Sequence, residues 1–311
     1  MAKAIKLPAS NPFRPEFEIF TDVLKSQDAP KNTELNYTTY VRDFLVWIYG
    51  KGIADINKVE WQDLRDYQKY LRNDRNLKGN TINQEFAAIK KFYRAVLEKE
   101  WNDAAVGSMK YEIFRGTVPI TNEVDVILSH TKKNLTLWLM FALLAFCGLR
   151  VSELVNLTYS DIRRERMSLY VKPSKNHEDR EIPISPAVLD YLTRYVRSLP
   201  VMPKKEDYIF PGRKANTHLT APTINNRVNA VMDQLGWRDR SYTPHSFRRY
   251  FGCIQYLMHP DDLPRLSAIM GHRQVSSTMV YIKLAAAFKA RHEDIGRIDA
   301  FLKGENKLCL M

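Results

Sequence analysis

The chain is poor in residues from which many functional sites are built. Its 311 residues include three cysteines, Cys147, Cys253 and Cys309, an odd number and widely spaced. No Cys-x-x-Cys pair or His-Glu-x-x-His motif is present, so a zinc site has no sequence signature, and Cys147 and Cys253 read as small buried hydrophobes. A phosphate-cradling Walker loop is missing, as is any carboxylate cluster with metal-ligand spacing. The expected cofactor set is therefore empty. The N-terminus lacks the basic, apolar and small-residue succession of a signal peptide. Leu135 to Leu149 is a largely apolar run of 15 residues, short of the roughly 20 that span a bilayer. It reads as a buried core helix, and the chain as cytoplasmic with no membrane partner. Acidic residues are also scarce, at 35 Asp and Glu against 47 Lys and Arg, a net charge of +12. That imbalance favours a polyanionic partner, because each Lys or Arg placed on a phosphate releases a condensed counterion.

What is present is ample apolar material. With 45% hydrophobic and 11% aromatic residues, the chain can bury substantial cores, and its length suits two domains. In the first hundred residues apolar positions recur at three and four: Tyr37, Tyr40, Phe44, Trp47 and Ile48; Leu64, Tyr67 and Leu71; Ile82, Phe86, Ile89, Phe92, Tyr93 and Val96. This is the period of three or four amphipathic helices, the last capped at Asn80 or Thr81. Their outer faces carry Arg42, Lys69, Arg72, Lys90, Lys91 and Arg94. From about Trp101 to Pro119 the period is lost, and Gly107, Ser108, Gly116 and Pro119 mark a linker. Helices are expected at about 121–130 and 134–147. The period then changes to two over Ser168 to Val171 and Glu181 to Ile184, a hairpin with a long basic loop between. Helices return at about 186–197, 222–235 and from Pro244 to Met258. The expected fold is mainly α with a small β-hairpin or sheet (α+β). A helical domain with linker should cover 1–112 and a mixed, mostly helical domain 113–311.

Four islands carry groups suited to phosphate chemistry. Arg150 follows the apolar helix and Cys147-Gly148-Leu149, a junction where a rigid guanidinium makes a bidentate phosphate clamp, and Glu153 lies three residues on to orient it. His245 and Arg248, three apart at the start of a helix, share one face. In the hairpin loop Lys172 and Lys175 are both candidates, and Lys175, at the tip, has the longer reach. His272 follows Gly271 where a new helical turn is expected to start, and Tyr281 comes nine residues later. Two arginines neutralise non-bridging oxygens, a tyrosine attacks, a lysine protonates the leaving oxygen, and no metal is required.

These islands give the chain its resemblance to the tyrosine recombinase (phage integrase) family, and to its simple, two-domain Xer-like members. The resemblance runs from Cys147-Gly-Leu-Arg-Val-Ser-Glu-Leu154 through Pro244-His-Ser-Phe-Arg-Arg249 to Met270-Gly-His272 and Tyr281. Residues 33–100 resemble the family's core-binding domain and 120–285 its catalytic domain. The resemblance implies Tyr281 as nucleophile, Arg150 and Arg248 as the clamp, histidines at His245 and His272, and the hairpin lysine at Lys175. Ser174 and Asn176 stand where the family has glycines beside that lysine, and Met258-His259-Pro260-Asp261 replaces a small glycine-containing turn. The family's reaction cleaves and rejoins DNA through a 3′-phosphotyrosine, as a tetramer on two duplexes with inverted-repeat binding sites. Two alternatives share the pattern: a type IB topoisomerase-like nicking and resealing enzyme, and a DNA-binding regulator that does not cut. After Tyr281, an apolar stripe of Leu284, Phe288, Ile295, Ile298, Phe301 and Leu302, with Gly304 as a stop, reads as a helix. In the family such a tail passes to a neighbouring protomer.

Overall fold

The structure, a computed structural model, describes residues 7–110, 117–172, 179–260, 262–272 and 275–302, excepting the side chains of Val275 and 292–302. The chain divides into two compact units, Met1–Phe114 and Arg115–Met311. Among the described residues no helix is long and apolar enough to cross a membrane.

The first unit is built on helices α1 (Arg14–Ser26), α2 (Lys31–Gly50), α3 (Trp61–Asn73) and α4 (Gly79–Val96). Their apolar stripes meet in a core that includes Phe20, Phe44, Leu45, Tyr67, Ile89 and Phe92, as the period of three and four requires. Two expectations are corrected. The cap of α4 is Lys78, and neither Asn80 nor Thr81 fills that place. The helix starts early because the 109–110 segment packs against it. A Cβ on Gly79 would sit 2.7 Å from the Lys110 carbonyl, and the Asn83 amide exchanges hydrogen bonds with the Met109 backbone at 2.8 and 3.0 Å. The stretch read as linker from Trp101 accordingly begins inside this unit, with Trp101 and Val106 buried in its core. Loss of period there marked the end of helix, not the end of packing.

The second unit surrounds α6 (Leu135–Phe146), whose residues Trp138 to Ala145 are all buried. A helix apolar on every side must be enclosed. It is enclosed by α5 (Thr121–Thr131), α8 (Pro186–Arg197) and α10 (Pro244–Met258). Asn134 caps α6, its side chain accepting from the Leu137 amide at 3.1 Å. The hairpin is β2 (Ser168–Val171) paired with β3 (Arg180–Pro183), antiparallel, with Leu169 opposite Ile182. A third strand, β1 (Ile162–Arg163), joins the β2 edge; two residues carry too little alternation to be read beforehand. Short α7 (Val151–Val155), α9 (Ala221–Gln234) and α11 (Leu263–Met270) complete the scaffold, and α12 runs from Val280 to Leu302. The first part of α12 lies on α10, where Ala285 and Phe288 are buried and the Phe288 ring meets Tyr250 at 5.9 Å. Gly304, expected to stop that helix, lies outside the described residues.

Candidate active site

Two glycines and two helix starts bring the islands together. Cys147 ends α6, and Gly148 turns the chain at φ +59°. A side chain there would overlap the Phe251 ring of α10, so only glycine permits this approach. The turn delivers Arg150 as the residue capping α7, with Glu153 in that helix's first turn. On α10 the reciprocal Thr243 and Ser246 cap and Pro244 set the helix start, which places His245 and Arg248 one turn apart. The second glycine, Gly271, ends α11 at φ +62°. His272 therefore leaves a helix end. The expectation that it opens a new helical turn is corrected, because the positive φ that glycine supplies is a helix stop.

The buried Glu153 carboxylate is the hub. It accepts from the Arg150 backbone amide at 2.8 Å and from Arg150 Nη1 at 2.7 Å. Arg180 grips it with two parallel bonds of 2.9 and 2.8 Å, and Arg248 Nη1 lies 3.8 Å away. Burial alone would raise its pKa. The Arg180 hydrogen bonds and charge, the Arg150 amide and the Arg248 charge overcome that and hold it down at about 2. A second set of acceptors comes from the end of α11. Arg180 Nε donates to the Ile269 carbonyl at 2.7 Å, Arg248 Nη2 to Met270, and Arg150 Nη2 to Gly271 at 3.2 Å. Three consecutive carbonyls thus each hold a different arginine, at the end of a helix where partial negative charge gathers.

Arg248 is fully buried. Burial and the neighbouring Arg150 lower its pKa to about 10 against the pull of Glu153, which leaves it charged at neutral pH. Its Nη2 lies 3.5 Å from His272 Nε2, and His272 Nδ1 lies 2.9 Å from Thr278 Oγ1. An arginine can only donate, so Nε2 can meet it only as an acceptor. The His272 ring stacks beside Tyr281, centroids 6.1 Å apart. The Tyr281 ring is buried against α10 at Gly252, where any Cβ would overlap it. Burial raises the phenol pKa, while the charges of Arg248, Arg249 and Arg150 act to lower it. His245 keeps solvent access on its helix. Desolvation of its ring, then the charges of Arg249, Arg248 and Arg150, push its pKa down.

Of the six expected residues, Arg150, Arg248, His272 and Tyr281 are gathered in one place, and His245 stands one turn from Arg248. Lys175 lies outside the described residues. Lys172, the alternative, is tied to Asp161 at 3.1 Å and Thr158 at 3.2 Å. Sequence reasoning passed over Arg180, Thr278 and Gly252. Arg180 had a signal, since it is in phase with Ile182 on the buried side of β3. Among the described residues no cluster of three His, Cys, Asp or Glu side chains could hold a metal ion.

Comparison with known proteins agrees with this architecture. A putative integrase/recombinase of Sinorhizobium fredii is 29% identical over 262 residues, covering 82% of this chain and 79% of that protein. The tyrosine recombinase XerC of Rickettsia canadensis is 26% identical over 268 residues, 81% of this chain and 86% of the relative. The crystal structure of the XerH site-specific recombinase bound to its difH substrate has the same fold, with a TM-score of 0.67 at 16% identity, covering 88% of this chain and 87% of that one. Residues 17–103 match the phage integrase N-terminal SAM-like domain, and residues 120–287, more than half the chain, match the phage integrase family. The chain belongs to the phage integrase family and is a tyrosine site-specific recombinase.

Proposed function

We propose that this recombinase cleaves and rejoins double-stranded DNA through a 3′-phosphotyrosine formed on Tyr281, acting as four protomers on two duplexes with inverted-repeat binding sites. Tyr281 Oη attacks the scissile phosphorus and the bond to the 5′-oxygen breaks. Arg150 and Arg248 neutralise the non-bridging oxygens with His272 beside them. His245 assists proton transfer at the tyrosine or hydrogen-bonds the phosphate; desolvation and then the guanidinium charges depress its pKa, and the arriving phosphate offsets the charges. Lys175 supplies the proton to the departing 5′-oxygen. A 5′-hydroxyl of the partner duplex then attacks the phosphotyrosine, restoring the phosphodiester and freeing the phenol. Bond energy is kept in the covalent link throughout, so the scheme needs neither nucleotide nor metal.

In this reading residues 1–112, with the linker, are the core-binding domain and 113–311 the catalytic domain. The +12 charge suits the DNA partner, and the relative XerH is described bound to its difH substrate. The observation that carries the proposal is the gathering of Arg150, Arg248, His272 and Tyr281 around Glu153 and the end of α11. A nicked suicide duplex tests it. Wild type should give a detergent-resistant, slower-migrating adduct in excess EDTA, whereas Tyr281→Phe should bind the same duplex and give none. An adduct from the Phe variant would place the nucleophile elsewhere.

A further inference from the structure

Among the described residues, Arg180 is the one buried arginine at this site to which the reaction assigns no task. Its side chain is 6% exposed, and each of its three guanidinium nitrogens is engaged. Nε meets the Ile269 carbonyl, while Nη1 and Nη2 take one Glu153 oxygen each. A guanidinium bound in this way has all three nitrogens turned to protein acceptors. Its partners are nevertheless the groups that orient the phosphate ligands. Glu153 Oε1 is shared with Arg150 Nη1, and Oε2 with the Arg150 amide. Ile269 begins the row of carbonyls whose next two members hold Arg248 and Arg150. Gly271 has no side chain and so lets Arg180 lie against this helix end; a Cβ there would come 2.8 Å from Arg180 Nη1.

We infer that Arg180 is a positioning residue for strand cleavage, locking Glu153 to the end of α11 so that Arg150, Arg248 and His272 converge on the phosphate. This rests on the cleavage reaction proposed above. Arginine is required because a planar fork binds both carboxylate oxygens and still leaves Nε for a carbonyl. A lysine keeps the charge and loses that geometry. Arg180 acts through the clamp and not through the acid that serves the leaving oxygen.

Single-turnover adduct formation on preassembled half-site complexes tests the inference. Arg180→Ala should bind the half-site as wild type does and form adduct about 100-fold more slowly, the scale of a misplaced reacting group. A methylphosphonate at the scissile position carries less charge for the clamp to neutralise, so on it the gap should narrow to about tenfold or less. A 5′-bridging phosphorothiolate, whose sulfur leaves without an acid, should not narrow it. Arg180→Lys, which keeps the charge, should show a smaller gap with the same substrate pattern, and it carries the test should the Ala variant melt below the assay temperature. Equal gaps on all three substrates, narrowing on the phosphorothiolate alone, or wild-type rates from a folded variant would overturn the assignment. If wild type itself forms no adduct, the cleavage reading fails first, and independently of Arg180.

Discussion

At the scale of single residues, the site depends on side chains that are absent as much as on those present. Gly252 sits inside α10, where alanine would ordinarily favour helix by about 1 kcal/mol. Here the Tyr281 ring occupies the space a Cβ needs, and packed rings do not yield that space without moving. Gly252→Ala should therefore displace Tyr281 and slow adduct formation by about 100-fold while half-site binding is retained. Rapid-quench assays on a suicide duplex would measure this. An unchanged rate would mean that the ring leaves Gly252 before it attacks. Cys147 and Cys253, by contrast, are plain core residues; burial pushes both thiols up to about 12, far from the range of a reactive thiolate.

At the scale of elements, Glu153 joins α7, β3 and α10 through one carboxylate, and its ionisation is built into stability. Its folded pKa, about 2, lies below the ordinary 4.5. The unfolded chain thus binds the proton more readily than the folded one, and the contribution is fully present above about pH 4.5. It is lost as pH falls toward 2, on the order of 3 kcal/mol in all. Melting curves of wild type from pH 6 to pH 2.5 should show a steep decline that Glu153→Gln flattens. At pH 7 that variant should be less stable by about 3 to 5 kcal/mol, because the arginines lose their buried counter-charge. A variant that kept the wild-type acid slope would show that other carboxylates cause it. Elsewhere the elements follow their local signals: Asn134 before α6, Ser185 before α8 and Thr220 before α9 each accept from the backbone of the following turn, as N-caps do.

At the scale of the whole molecule, α12 runs on beyond its contact with α10. Phe288 and Ala285 are buried within their own unit, and Arg291 reaches the buried Glu123 at 3.3 Å. The apolar positions Ile295, Ile298, Phe301 and Leu302 continue past that anchor. If the proposed tetramer passes this segment to a neighbour, cyclic donation repeats the contact four times. Removing the residues after Gly296 should leave binding to a single half-site intact and weaken cooperative filling of a two-half-site duplex, together with recombination. Gel shifts on the two duplexes would show it. Unchanged cooperativity would exclude this segment as the coupler, and an unfolded product would assign it to packing within its own chain.

The amino-acid sequence alone determined α2 to α6, α8 to α10 and α12, the hairpin, and five of the groups now seen near one another, because period and chemical type are local properties; α1, α7 and α11 were not read from it. Arg150, His245, Arg248, His272 and Tyr281 could be named from short motifs; the choice between Lys172 and Lys175 could not be closed that way. Tertiary structure decided what no local pattern carries. It made Gly271 a helix stop and Gly79 a helix start, folded Trp101 back into the first core, and spent Arg180 on a carboxylate 27 residues before it in the chain. Such outcomes depend on which backbone carbonyls and which voids arrive from distant segments. Glu153 and the last carbonyls of α11 become a cradle for three arginines only once β3, α7, α10 and α11 have packed.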